Sequence, residues 1–356
     1  MSASEKQKVP QKMLVIAPAW VGDMVMAQSL LIQLKELHQS LSIDVMAPGA
    51  TLSLLERMPQ VNEGLRLDVG HGQLLLGERY RIGRSLRQKR YDQAIVLPNS
   101  FKSALIPWFA NIPVRTGWKG EFRYGLLNDM KHLDRNRLPL MVQRFCALAG
   151  NDAGHHAGET PGPALSVDKG NLARLFKSLG LDRDRPILGL CPGAEYGVAK
   201  QWPADHYAAV ADHYMYMGGQ VWIFGSKGDA GVGERIRNTV SAANRNACMD
   251  LTGKTELVDA VDLISQTNCV VSNDSGLMHV SAALNRPMVV VYGSSSPEFT
   301  PPLSDNAEIA SIKLDCSPCF KRDCPLGHTN CLHQLYPQQV IEILDRLVGE
   351  HDTQVR

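Results

Sequence analysis

The chain has 356 residues, 44% of them apolar and 21% charged, and a net charge of +1. That length suits two domains of roughly 150–200 residues better than one core, and the composition is that of a folded chain. No apolar run approaches the ~18 residues a membrane-spanning helix needs, and the polar residues 1–11 carry no signal-peptide core, so a cytoplasmic location is expected.

Alternation of short apolar runs with amphipathic stretches points to βα units and parallel sheets. Residues 13–17 (MLVIA) read as a strand that ends in Pro18-Ala19-Trp20-Val21-Gly22-Asp23, with a helix over 24–37. Further strands are expected at 43–46 and 93–97. The segment 151–170, rich in Gly, Pro, Asp and His, breaks the rhythm and is the best linker candidate. The alternation then resumes, with strands at 186–191, 220–224, 269–272 and 288–292 and helices at 204–216, 257–265 and 277–284. A last helix is expected over 337–348. These patterns describe two doubly wound domains facing each other across a cleft, with ligands at the carboxyl ends of the strands. The boundaries read from them are 1–160, 161–336 with a Cys-rich loop at 316–331, and a terminal helix segment 337–356. That segment is a candidate to pack back on the N-terminal domain.

The near-zero charge conceals an asymmetry. Residues 1–160 hold 20 Lys+Arg and 14 Asp+Glu, whereas the remainder holds 17 and 22. The densest basic run is Arg79, Arg81, Arg84, Arg87, Lys89 and Arg90. It reads either as a solvated helix face or as a surface for an anionic partner. Nucleic acid is excluded as that partner, because no zinc-finger, RNA-recognition or helix-turn-helix signature accompanies the charge.

Three motifs could carry chemistry. Gly22-Asp23 sits at the turn after the first strand, where glycine permits close ligand approach; an Asp there is commonly a helix N-cap. Cys191-Pro192-Gly193-Ala194-Glu195, followed by Lys200, Trp202 and Pro203, is a strand running into a glycine loop with a lysine suited to a leaving diphosphate. Ser272-Asn273-Asp274-Ser275-Gly276-Leu277-Met278-His279 joins an apolar strand to an apolar helix. Its Ser275 and Gly276 would present backbone N–H groups to a diphosphate. His279, one turn on, is either structural or part of that anion site. The Gly-x-Gly-x-x-Gly fingerprint of a nicotinamide or flavin dinucleotide site is absent from the first turn, so a dehydrogenase is unsupported.

The 273–279 run, Val-Gly-Asp at 21–23 and Pro-Gly-Ala-Glu at 192–195 resemble the ADP-heptose:lipopolysaccharide heptosyltransferases, glycosyltransferase family 9. Leu97-Pro98-Asn99-Ser100-Phe101-Lys102-Ser103-Ala104, Arg115-Thr116-Gly117-Trp118 and Gly125-Leu126-Leu127-Asn128-Asp129 resemble the branch that adds the second heptose. The resemblance implies a GT-B fold, metal-independent inverting transfer, an N-terminal acceptor side and a C-terminal donor side. It implies Asp23 as catalytic base and Lys200 beside the donor diphosphate. Gly193, Ala194, Asp274, Ser275, Gly276 and His279 would then hold the donor, with Gly253, Lys254 and Thr255 near its adenosine. Gly22, Asn99, Lys102, Arg115, Lys119 and Arg123 are the acceptor-side candidates.

The partners so implied are ADP-heptose and heptosyl-Kdo2-lipid A, the latter requiring peripheral contact with the cytoplasmic face of the inner membrane. First-heptose transfer to Kdo2-lipid A and a non-catalytic nucleotide-binding module are the alternatives. No cofactor is required for catalysis in this family. Cys316, Cys319, Cys324 and Cys331 are separated by two, four and six residues. In a reducing compartment that spacing makes them candidate ligands of a structural zinc, with reduced thiols or a transient disulfide as the other readings. Cys146, Cys191, Cys248 and Cys269 lie in apolar sequence and are expected in the core.

Overall fold

The computed structural model describes residues 10–69, 72–150 and 160–354, without the side chains of 350–354. Residues 1–9 and 70–71, the first part of the linker candidate (151–159) and residues 355–356 lie outside the described residues. The chain divides into two units, Met1–Pro163 and Ala164–Arg356.

In the first unit the strands are β1 (Lys12–Ile16), β2 (Ser42–Pro48), β3 (Glu63–Leu67), β4 (Gln93–Val96), β5 (Val114–Trp118) and β6 (Asp129–Lys131). The helices are α1 (Val21–Leu37), α2 (Gly49–Leu52), α3 (Leu76–Leu86), α4 (Leu105–Phe109) and α5 (Met141–Cys146). All pairings are parallel and the strand order is β3-β2-β1-β4-β5-β6. The central strands β1, β2 and β4 are buried along almost their whole length, as expected where helices cover a parallel sheet. One charge interrupts that core. Asp44 of β2 is fully buried, and its carboxylate accepts from Tyr91 Oη at 2.7 Å and Asn62 Nδ2 at 2.8 Å, with Lys12 Nζ at 3.6 Å. Those partners offset the cost of desolvating it. Helix α1 is buried from Met24 to Leu31 and packs against α5.

The second unit contains β7 (Ile187–Cys191), β8 (Gln220–Ile223), β9 (Cys248–Asp250), β10 (Cys269–Asn273), β11 (Met288–Val291) and β12 (Ala307–Ala310). Its helices are α6 (Lys169–Leu179), α7 (Ala204–Tyr216), α8 (Ala230–Thr239), α9 (Leu257–Ile264), α10 (Gly276–Ala283), α11 (Asn330–His333) and α12 (Pro337–Gln354). This sheet too is parallel, in the order β12-β11-β10-β7-β8-β9. Local sequence sets helix ends clearly at α6. Asp168 caps it by accepting from Gly170 N (2.8 Å) and Asn171 N (3.0 Å), and Gly180 ends it at φ 64°. Helix α12 packs along α7 and over β10–β12, burying Val340, Ile341 and Leu344 in the second unit's core. Its apolar face is therefore accounted for within its own unit.

Each order contains a switch point, where successive connections leave in opposite directions: between β1 and β4 in one unit, between β7 and β10 in the other. At such a point the loops beyond the carboxyl ends diverge and leave a crevice.

Candidate active site

At the β7–β10 switch point a buried asparagine organises the loops. Asn273 ends β10 with no exposed surface. Its Oδ1 accepts from Trp202 N at 3.1 Å and Tyr207 Oη at 3.0 Å, and its Nδ2 donates to Pro192 O at 2.6 Å. These bonds pin the loop after β7 and the segment after Lys200 to one anchor. Lys200 Nζ lies 2.6 Å from Asp274 Oδ2, and the lysine side chain is 19% exposed against 5% for the carboxylate. An ammonium carries three donors, so a partner for one leaves others for an anion.

Helix α10 starts beside this pair. Its N-cap residue Ser275 is extended and its side chain makes no cap hydrogen bond to the first turn, which begins at Gly276. His279 follows, 4% exposed. Burial pushes its pKa down to about 4, with Asp274 raising and Lys200 lowering it further. The ring is neutral near pH 7. His279 is thus a buried, neutral ring one turn into α10.

The neighbouring loops need their glycines. A Cβ on Gly193 would meet the Asp229 carboxylate at 2.6 Å. Gly253 adopts φ +68° and donates its N–H to Gly225 O at 3.0 Å. Ala194 is buried and Thr255 half-buried, while Lys254 Nζ donates to Asp250 O at 2.7 Å. The donor-side residues nominated from sequence thus lie along the carboxyl edge of the sheet, in the segments that follow β7, β9 and β10.

One feature of this edge carried no sequence signal. The Tyr196 ring centroid is 5.3 Å from Lys200 Nζ and 5.1 Å from the Arg322 guanidinium. Tyr196 Oη donates to Phe320 O at 3.2 Å, and Ala199 N donates to Arg322 O at 3.0 Å. The Cys-rich loop therefore rests on the turn that bears Lys200. It is fixed from its other side by Phe320 N to Ser294 O (2.7 Å) and Ser317 Oγ to Gly293 O (2.5 Å). Contacts between segments more than 100 residues apart leave no local pattern to read.

The thiols of that loop correct an expectation. Cys316, Cys319 and Cys324 are half-buried, Cys331 is buried, and all are free. Cys324 Sγ accepts from Thr329 N at 3.4 Å. Among the described residues no three His, Cys, Asp or Glu side chains form a group able to hold a metal ion, so the structural zinc is not supported. Hydrogen bonds accepted by main-chain carbonyls hold the loop in place. Cys146, Cys191, Cys248 and Cys269 are buried, and burial raises the pKa of each thiol.

In the first unit α1 begins at the carboxyl end of β1, beside the switch point. Its N-cap residue is Trp20, at φ −87° and ψ 141°. Asp23 is consequently the third helical residue and not the cap, placed in the first turn where the helix dipole favours negative charge. Gly22, half-buried, precedes it.

The acceptor-side candidates divide into braces and surface groups. Arg123 is fully buried and donates to Pro98 O (2.7 Å), Asn99 Oδ1 (3.2 Å) and Trp118 O. Arg115 donates to Leu126 O (2.6 Å), Ile112 O (2.5 Å) and Gly125 O (3.5 Å). Arg123, expected at an acceptor surface, is instead an internal support for the loops after β4 and β5, because its fork fits main-chain carbonyls. Lys102 is half-buried, and its carbonyl accepts from Arg79 Nη1 at 3.1 Å. Lys119 is exposed and lines a cavity of about 410 Å³ together with Asn99, Trp118, Gly120, His132, Leu133 and Arg135. Nearby carboxylates are occupied: Glu121 accepts from Phe101 N at 2.6 Å, and Asp134 from Asn136 N at 2.9 Å and Arg137 N at 3.3 Å. The cavity wall is net positive, and sequence alone did not single out His132 or Arg135.

Two doubly wound parallel units in one chain, each with its polar loops at a switch point, form the GT-B architecture of glycosyltransferases. The match to the model of glycosyltransferase family 9 (heptosyltransferase) covers residues 79–330, and the chain belongs to that family. It is 48% identical to lipopolysaccharide heptosyltransferase 2 of Salmonella typhimurium, over 95% of this chain and 99% of the relative. It is 46% identical to lipooligosaccharide heptosyltransferase 2 of Haemophilus influenzae, over 95% and 99%. The solved structure of E. coli ADP-heptose LPS heptosyltransferase II superposes with a TM-score of 0.87 at 45% identity, covering 96% of this chain and 99% of that one.

Proposed function

We propose that this glycosyltransferase moves L-glycero-D-manno-heptose from ADP-heptose to the first heptose of the lipopolysaccharide inner core, with inversion. The observation that carries the donor half is the Lys200–Asp274 pair, 2.6 Å apart, beside the start of α10. The near full-length likeness to proteins named heptosyltransferase 2 supports the sugar and the acceptor.

Chemically, the acceptor hydroxyl has a pKa far above 7 and needs a base in the transition state; Asp23 takes its proton. The new bond forms between that oxygen and the anomeric carbon as the bond from that carbon to the ADP phosphate oxygen breaks. The electron pair leaves on ADP. Lys200, oriented by Asp274, and the N–H groups at Ser275–Gly276 stabilise the departing diphosphate. Displacement from the opposite face inverts the centre in one step. Gly193, Ala194 and Gly253–Thr255 line the nucleotide. Asn99 and Lys119, joined by His132 and Arg135, meet the anionic acceptor, while Arg115 and Arg123 hold their loops. A lipid-linked acceptor requires peripheral contact with the cytoplasmic face of the inner membrane.

The test is ADP release from ADP-heptose with heptosyl-Kdo2-lipid A. Asp23→Ala is expected to lose at least about 100-fold in turnover; near-normal turnover would sink the assignment of the base. Efficient transfer to Kdo2-lipid A lacking the first heptose would move the acceptor assignment to the first-heptose reaction.

A further inference from the structure

Transfer chemistry leaves unused an exposed apolar rim on the first unit. Leu74, Leu75 and Leu76 are consecutive and 50%, 47% and 51% exposed. A single exposed leucine needs no explanation, but a run of them does. The run is held in place. Arg79, 4% exposed, donates from Nε to Leu74 O at 2.7 Å and from Nη2 to Gln73 O at 3.3 Å, while Leu75 sits in the left-handed region at φ 40°. A buried guanidinium and a strained leucine backbone thus present three apolar side chains to water.

Charge surrounds the leucines. Residues 76–90 contain six basic side chains and one acidic. Arg81, Arg84, Arg87 and Arg90 are exposed, and Glu78 pairs with Arg81 at 2.6 Å. Helix α3 packs on α4 through Gly83, where a Cβ would lie 2.5 Å from Phe109 Cβ. That contact brings the exposed ring of Tyr80 to 5.2 Å from Phe109, itself 4.9 Å from exposed Trp108.

The rim continues along the carboxyl ends of the strands. Arg79 Nη1 ties the leucine loop to Lys102 O in the loop after β4, and Phe101 N ties that loop to Glu121 after β5. Beyond Glu121 stand Phe122 and Tyr124, 84% and 62% exposed.

We propose that this rim docks on an anionic lipid surface, with Leu74–Leu76 and Phe122 entering the headgroup boundary and the α3 arginines pairing with lipid phosphates. Apolar insertion and a basic face act together in such binding, and neither alone anchors firmly. The proposal rests on the lipid-linked acceptor of the heptosyl-transfer reading, and it places the acceptor-side loops at the bilayer.

The test is flotation of the full chain with vesicles of phosphatidylethanolamine and phosphatidylglycerol, against vesicles of phosphatidylcholine alone. The wild type is expected to float with the anionic vesicles and to be released by salt. Leu74→Ser/Leu75→Ser/Leu76→Ser, and separately Arg81→Glu/Arg84→Glu, are expected to lower binding at least about tenfold. Both variants should keep ADP release with a water-soluble, O-deacylated acceptor and lose it with vesicle-embedded acceptor. Wild type that stays soluble with anionic vesicles, or variants that bind as it does, would overturn the proposal. Binding only to protein-containing membranes would overturn it in favour of a protein partner. Intact vesicle binding without transfer to either acceptor would defeat the transferase reading and leave the docking surface standing.

Discussion

The two units share a strand order and differ in how they use charge at the switch point. In the second, a fully buried asparagine ties three segments together and one lysine–aspartate pair stands beside a helix start. In the first, the arginines turn inward: Arg79, Arg115 and Arg123 bind main-chain carbonyls and hold loops whose lysine, histidine and remaining arginines face outward. The contrast fits their proposed ligands. A nucleotide diphosphate is small and invariant and suits a site fixed before it arrives, whereas a lipid-linked oligosaccharide needs a broad basic surface. Basic residues therefore mean different things in the two units.

The largest effect is expected at Lys200. Lys200→Ala is expected to lower turnover per folded molecule on the order of 10²–10³-fold and, because it strands the nearly buried Asp274 carboxylate, to lower the thermal midpoint as well, as judged by ADP release and circular dichroism. Loss of folding without loss of turnover per folded molecule would make Lys200 a strut like Arg123. Next come the two anchors. Asn273→Ala and Arg123→Ala each strand buried polar partners and are each expected to cost about 2–4 kcal/mol in urea unfolding. A neutral result at either would show that the loops hold without it.

His279 gives the second unit a pH signature. Its folded pKa of about 4 lies below the ordinary 6.5, so the unfolded chain binds the proton more readily. The stability this represents is complete above pH 6.5 and is lost as pH falls towards 4, on the order of 3 kcal/mol. Urea midpoints at pH 7 and pH 4.5 should differ less in His279→Gln than in wild type; an unchanged difference would rule out the histidine as its source. The smallest effect is expected at the cavity of the first unit. Lys119→Ala should raise the acceptor KM about tenfold, one charge-assisted contact, and leave stability and the donor KM alone. A change in donor KM would contradict the division of labour.

Much of this was legible in sequence where the signal is local. The central strands of both sheets read as apolar runs because helices bury both their faces, and the turns after β1, β7 and β10 announced themselves through Gly22-Asp23, Pro192-Gly193 and Asp274-Ser275-Gly276. The edge strands β3, β6, β9 and β12 did not. They are three to five residues long and partly exposed, so they show neither an apolar run nor a clean alternation. Asp23 looked like a cap because capping depends on where the helix starts, and Trp20 starts it earlier.

By itself, then, the sequence determined the two doubly wound units, the family and the turns that carry the candidate chemistry, since each follows from periodicity or from contiguous residues. Which arginines are braces and which are surface, that the cysteine loop leans on the Lys200 turn, and that His279 is a buried neutral ring came from the folded structure alone. Those are properties of burial and of contacts between distant segments, and a side chain's role is fixed by what it touches.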